Sequence, residues 1–381
     1  MKNFLSMIAV IMPLFLSAQS AFHNFGEVKL HNNSSVGFHT DFINDGNMSN
    51  DNEGLTGFYS DSEIRSISGN NVAVFNDIEI DAVNDIELYS SIGVTNDLSF
   101  INGKVFTPRN DANISLEFMN HNLYAGEDNQ RHVDGYVSVS EKSNFTFPIG
   151  DDNSLRPMIL SATGTISKFT GAYFSINPNN APYNYDTSQK QAFIENISTK
   201  EFWDLDGSAE TRITLTWDNN SEINNITSDI NLLRVVGWNE TEGKWIDLGM
   251  SNVNGTINAG LITSSTFVPN NYSVITIGSN FSDSALSNVN LIFTPNGDIK
   301  NETLVFKGLE RYKGNSLTVF NRWGDIVHQT IDYKNDWRGQ SNGRATINQK
   351  ENLPDGTYFY TLDMNTDEGE KTQRGWVYIT R

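Results

Sequence analysis

Six histidines, 46 carboxylates and no cysteine are the main stock from which this chain could build a catalytic or metal centre. His23, His31, His39, His121, His132 and His328 are scattered. None forms a His-Glu-x-x-His pair, and none stands close enough to another in sequence to suggest zinc. Without cysteine, thiolate zinc sites and cysteine nucleophiles are excluded. No Gly-x-Ser-x-Gly elbow, Walker loop or dinucleotide glycine pattern occurs. A glycosidase pair is defined by the separation of two carboxylates in space. The acids therefore fit hydrolysis without supporting it, and with no other site element beside them they read as surface groups. The expectation is a protein that is not an enzyme.

Oxygen ligands offer the remaining route, to calcium. Asp204-Leu205-Asp206-Gly207, with Glu210 nearby, alternates carboxylates but lacks the spacing of an EF-hand loop. The run from Asn44-Asp45-Gly46-Asn47 to Asn50-Asp51-Asn52-Glu53-Gly54 reads equally as two Asx turns. Asp, Asn and Gly are ordinary turn formers, so no cofactor is expected, calcium being the one candidate. Aromatic rings suggest sugar stacking, and Trp203, Trp217, Trp238 and Trp245 lie mid-chain. Aromatics in strands are more often core, where each ring buries a large apolar area.

The chain that must position these groups has 381 residues and a net charge of −20. Residues 287–381 hold 12 basic and 12 acidic side chains, so the 14 basic and 34 acidic side chains before them carry all of the excess. Affinity for nucleic acid comes largely from cationic contacts to phosphate, and an acidic passenger argues against it. A solvated acidic surface that keeps an exported protein soluble is the simpler account. Export itself is read from the front. Lys2 precedes an apolar run from Phe4 to Leu16, broken by Ser6 and Pro13, and small residues follow at Ser17, Ala18, Ser20 and Ala21. Residues 1–21 are thus expected to be a signal peptide, because a spanning helix needs about 20 apolar residues.

Helical periodicity is scarce and short alternating strands dominate, which makes the chain all-β. In residues 22–134, Asn76-Asp77-Ile78-Glu79-Ile80, Asn84-Asp85-Ile86-Glu87-Leu88 and Asn96-Asp97-Leu98-Ser99-Phe100 repeat a turn followed by a strand, at spacings of 8 and 12. A short β-solenoid or a sandwich of hairpins would produce this, and the lack of clear two-residue hairpin turns favours the solenoid. Residues 135–280 read as a central β-sandwich. Strands are expected at Tyr136–Ser140, Ile213–Trp217, Leu232–Trp238 and Tyr272–Gly278, and Lys244–Leu248 is expected to pair with the strand ending at Trp238. Ser279–Ser287 suits a linker. In residues 287–381 strands are expected at Leu304–Phe306, Ser316–Phe320, Asp325–Gln329, Thr357–Leu362 and Gly375–Thr380. About seven short strands in 95 residues would suit an Ig-like β-sandwich.

The last stretch also carries a run of blocks: Phe293-Thr294-Pro295-Asn296-Gly297-Asp298, Phe320-Asn321-Arg322-Trp323-Gly324, Asp336-Trp337-Arg338-Gly339, Leu353-Pro354-Asp355-Gly356-Thr357-Tyr358 and Gly375-Trp376-Val377-Tyr378-Ile379-Thr380-Arg381. In this order they resemble the gliding motility-associated C-terminal domain, a delivery signal for the type IX secretion system. The resemblance implies general export, recognition of residues 287–381 by the type IX machinery, and a secreted product at the outer cell surface or beyond. It implies that Asn321, Arg322, Trp323, Gly324, Gly356, Tyr358 and Arg381 carry the sorting signal, while Trp323 and Trp337 read as structural beside turns at Gly324 and Gly339. The family usually continues its first block with glycine and an Asn-Asp pair; here Ile299 and Glu302 stand there, which puts an oxygen-rich ligand site in doubt. Asn144-Phe145-Thr146-Phe147-Pro148-Ile149-Gly150, followed by Arg156-Pro157, resembles a phrase of large exported proteins with the same signal, and reads as strand, proline-stopped turn, strand. For the passenger, a structural or adhesive surface protein is expected first. A binder of surface glycans or extracellular matrix, and then a glycoside hydrolase, are the alternatives.

Overall fold

The structure, a computed structural model, describes residues 21–49, 51–119, 123–162, 167–191, 193–281, 291–343, 351–366 and 369–381. The expected signal peptide, save Ala21, and most of the expected linker lie outside the described residues. The fold is nearly all β.

From Ala21 the chain winds as a parallel β-solenoid. Alternate strands go to two sheets. Ala21–Asn24, Asp41–Asn44, Arg65–Ser68, Ile86–Leu88, Val105–Phe106 and Val133–Asp134 stack in one. Ser35–Phe38, Leu55–Ser60, Ala73–Ala82, Ile92–Asn102, Leu116–Met119 and Val137–Ser140 stack in the other. The sequence repeat is explained by this winding. Ile78 pairs with Leu98 and Ile80 with Phe100, one coil apart in the second sheet. The middle copy belongs to the first sheet, where Ile67 pairs with Leu88. The spacings of 8 and 12 are therefore unequal parts of one coil. Apolar residues at matching positions, such as Phe38 over Phe58 and Phe58 over Ile80, stack into the core.

Two residues mark corners where the chain changes sheet. At Gly135 (φ +133°) it crosses from the first sheet to the second, and a Cβ there would fall 2.3 Å from Thr107 Oγ1. At Pro148 it leaves Asn144–Phe147, in a separate five-stranded sheet, for Ile149–Asp151 in the first. A residue with no backbone N–H suits a point where one ladder ends and another begins.

The second sheet continues past the solenoid. Val137–Ser140 pairs antiparallel with Phe169–Phe174, and Phe202–Asp206, Ile275–Asn280, Leu233–Asn239 and Lys244–Asp247 follow in a sheet of 13 strands. Trp238 pairs with Trp245, as the sequence suggested. The five-stranded sheet faces this extension to make the sandwich, and one hydrophobic core runs from Phe38 to Ile277. Solenoid and sandwich thus share a sheet and a core.

The terminal module has its own core and a five-stranded sheet ordered Ile292–Phe293, Gly369–Ile379, Gly356–Thr366, Ser316–Phe320, Ile326–Ile331. Tyr358, Tyr360, Leu362, Val377 and Ile379 face inward, under loops that supply Leu304, Phe306, Tyr333 and Trp337. Leu304–Phe306 is an extended loop segment and not a ladder strand. Its amides bond to Trp337 O (3.1 Å) and Asn335 Oδ1 (2.8 Å), which satisfies them without a neighbouring strand.

Candidate functional site at one pole of the terminal module

The residues of the expected sorting signal come together at one end of the terminal sheet. Asn321 to Asp325 connect Ser316–Phe320 to Ile326–Ile331 as a hairpin loop. Asn321 organises it: Oδ1 accepts the amides of Trp323 (2.8 Å) and Asp325 (2.9 Å), and Nδ2 donates to Asp325 Oδ2 (3.0 Å). Asn is suited to this because its amide can both accept and donate within one turn. Gly324 supplies the φ of +87° that closes the loop. With the backbone held this way, Arg322 lies over the Trp323 ring, 5.8 Å from its centroid.

The strand beside this loop starts at Gly356 (φ +154°), paired with Ile379. Tyr358 is buried and its hydroxyl donates to Pro354 O (2.9 Å). Burial pushes its phenol up, while Arg381 and Arg322, both close enough to act on it, pull the other way. Arg381 is a clip. Its guanidinium donates to Leu353 O and to Gly339 O (3.3 Å), lies 3.5 Å from the Asp355 carboxylate, and ties two loops to the end of the sheet.

The two tryptophans expected to be structural differ. Trp337 is buried, stacked on His328 at 5.2 Å, and its Nε1 donates to Gln340 O (2.8 Å). Trp323 is 80% exposed, which corrects the structural expectation for it. It sits at a hairpin tip with no core below, and no sequence periodicity reports that. The Thr294–Glu302 turn keeps its shape through the substituted positions: Glu302 Oε1 accepts the Gly297 amide (2.6 Å), and Ile299 takes φ +74°. The carboxylate there serves as a turn acceptor.

In the passenger, the groups that could do chemistry are mostly committed to structure. Asp204 lies in a strand, its carboxylate accepting from the Tyr136 hydroxyl (2.7 Å). Burial raises it to about 6 despite that bond, with Asp206 adding to the rise. Asn44 and Asn52 are buried solenoid residues and not turn residues, which corrects that part of the Asx-turn reading. Asn24 Nδ2 donates to Asn44 Oδ1 (2.7 Å), and Asn44 Nδ2 to Asn71 O (3.0 Å). Trp203, Trp217, Trp238 and Trp245 are all buried, so none offers a face to a sugar.

Sequence reasoning missed one acidic cluster. The carboxylates of Asp134, Asp151 and Asp152 converge within 4.8 Å, a spacing a cation could bridge. Arg109 already stands there, 2.6 Å from Asp134 Oδ1 and 3.1 Å from Asp151 Oδ1. Backbone amides take further oxygens, from Asp152 to Asp134 Oδ2 (2.9 Å) and from Ser175 to Asp151 Oδ2 (2.7 Å). The guanidinium fills the role of the cation. Spacing alone could not have found it, because Asp134, the Asp151-Asp152 pair and Arg109 lie on three separate segments.

Residues 286–379 match the family model described as the CHU_C Type IX secretion signal domain. The terminal module belongs to that family. The match covers the blocks that carried the resemblance up to Ile379 and about a quarter of the chain. Among solved structures the chain is similar to PorZ, an essential bacterial surface component of the type-IX secretion system of Porphyromonas gingivalis, at 12% identity. That likeness covers 60% of this chain and 37% of the PorZ chain with a TM-score of 0.19, too low to speak for a shared fold. No curated protein matches the chain. With its signal domain, the chain is exported out of the cell by the type IX route and engages that secretion machinery.

Proposed function

We propose that the exported passenger is a structural or adhesive protein held at the outer cell surface, and that it works without catalysis or a cofactor. The observation that carries this reading is that the solenoid and the sandwich share a sheet and a hydrophobic core. It makes the passenger one unit with a 13-stranded sheet running through it, suited to contact over area. Its conspicuous charged clusters are internally paired, as at Arg109 with Asp134 and Arg156 with Glu201. An acidic exterior on such a unit keeps it soluble during transit.

Fractionation of the native host tests this, with the full-length chain compared with a truncation ending at Leu286. The full-length protein is expected on the outer surface, and the truncation in the periplasm. Release of most full-length protein to the medium would overturn the surface reading while leaving export intact.

A further inference from the structure

The outward face of the signal-domain sheet is divided in two. Strand alternation turns Arg374, Trp376 and Tyr378 outward on one central strand and Thr357, Phe359 and Thr361 outward on its neighbour. Phe359 is directly opposite Trp376, and Phe320 opposite Phe359. Ile292 lies beside Tyr378 on one side, and Ile326 beside Phe320 on the other. An apolar band therefore crosses all five strands. Trp376 is 45% exposed and Phe359 48%, high values for rings at the centre of a sheet. One step along the strands the face turns polar, with Arg374, Thr361, Thr318 and Gln329 in register.

The band lies at the pole that holds Asn321, Gly356 and Arg381, and Trp323 extends it at the hairpin tip. Exposing so much contiguous aromatic surface to water is unfavourable, so a patch of this kind marks a contact. The acids at this pole are engaged within the module, Asp325 by Asn321 and Asp355 by Arg381. Arg322 and Arg374 flank the band, and neither has an ion-pair partner among the described residues. Aromatic anchors with adjacent arginines are the usual energetic centre of a protein interface.

We propose that this half-face is the surface by which the type IX machinery holds the signal domain, and that the partner presents an apolar centre rimmed by carboxylates. The proposal rests on the module's role as a secretion signal and adds the face that is read. Tyr358, Gly324 and Arg381 then act as positioning residues, which keep the hairpin tip and sheet end in place beneath the contacting side chains.

The test uses the full-length chain in the native host, with surface, periplasm and medium blotted for four variants. These are the truncation at Leu286, the double variant F359T/W376T, the double variant R322E/R374E, and I331T, an exposed apolar residue at the other end of the face. Thr is chosen because it keeps strand propensity on an outward position. Both double variants should accumulate in the periplasm, with the exported fraction falling about tenfold, the size expected for losing an interface anchor. I331T should travel normally, and all full-length variants should melt with the wild type. If F359T/W376T melts early, the charge-reversed variant, whose side chains leave the core untouched, decides alone. Normal export of R322E/R374E together with retention of the truncation would overturn the assigned face while the signal reading stands. Normal export of the truncation would overturn the reading beneath it. A wild-type dimer in light scattering that F359T/W376T makes monomeric, with export unchanged, would instead make the face a contact between copies and overturn the proposal.

Discussion

Arg156 Nε lies 3.3 Å from Glu201 Oε2 in the passenger, with their side chains only 4% and 2% exposed. The pair is part of a fuller network. Arg156 Nη2 reaches Asp218 (2.8 Å), the Tyr173 hydroxyl donates to Glu201 (2.7 Å), and the guanidinium lies over the Tyr173 ring at 5.6 Å. Burial pulls the guanidinium down, but the Glu201 carboxylate and Asp218 outweigh it and hold Arg156 above its ordinary value. Removing one member of such a pair strands the other charge in the core. Arg156→Met should destabilise the passenger by about 3–5 kcal/mol. Arg156→Lys should recover part of this, since it restores charge without the planar fork. Urea unfolding of the full-length protein measures both; a loss under about 1 kcal/mol for Arg156→Met would show that the network is not needed for stability.

Asn52 stitches three successive coils of the solenoid. Its Oδ1 accepts the Leu30 amide (2.7 Å), and its Nδ2 donates to Val74 O (2.7 Å) and Ser49 O (2.9 Å). Asn52→Ala would leave backbone groups of two neighbouring coils unpaired in a buried place. It should cost roughly 2–4 kcal/mol, on the scale of 1–3 kcal/mol per orphaned group. Asn52→Asp should do no better, because a carboxylate cannot donate to Val74 O and adds buried charge. Hydrogen exchange of Leu30 and its neighbours would report the loss locally. Unchanged protection there would rule out the stitching role.

Asp204 gives the passenger a pH dependence. In the unfolded chain its carboxyl titrates near the ordinary value of about 3.9; in the folded chain burial raises it to about 6. Between those values the folded protein holds a proton that the unfolded chain has lost. The contribution of this group to stability therefore falls as pH rises from about 4 to about 6, and is flat above. The whole cost is at most ~3 kcal/mol, at about 1.4 kcal/mol for each tenfold difference in proton affinity between the folded and unfolded chains. Asp204→Asn should raise the melting temperature at pH 7 and leave it nearly unchanged at pH 4. A variant that gains equally at both pH values would remove the titration as the cause.

What the sequence made legible was set by local chemistry. Alternation and turn residues around Ile78, Ile86 and Leu98 announced short strands between turns, and the Trp238 to Trp245 hairpin followed from the polar turn between two strands. The pairing of Val137–Ser140 with Phe169–Phe174 was not legible. Alternation fixes which side of a strand is apolar, but not which distant strand lies beside it or in which direction. For the same reason the middle Asn-Asp repeat could not be assigned to the opposite sheet. At the site, the turn at Gly324 was readable because glycine is the residue a tight turn favours. Exposure of Trp323 and burial of Trp337 were not, since both stand beside a turn glycine and only the surrounding loops distinguish them. Arg109 and Asp134 show the same limit, because ion pairs depend on how coils are stacked.

Ile299 is a β-branched residue in left-handed backbone at φ +74°, with its side chain 93% exposed. An L side chain in that region costs about 1–2 kcal/mol, and no packing at so exposed a position offsets it. Ile299→Gly removes the strain but loosens the unfolded chain, which takes back about 0.4–1 kcal/mol. The net should be a gain on the order of 0.5–1 kcal/mol in the signal domain, from the difference of those two effects. Gly324 provides the opposite case. Its φ is +87° and no atom lies within 4 Å of where a Cβ would sit, so Gly324→Ala tests backbone cost without a clash. It should lose about 1 kcal/mol, and the pair of variants should move the signal-domain melt in opposite directions. If both move it the same way, left-handed strain does not govern these turns.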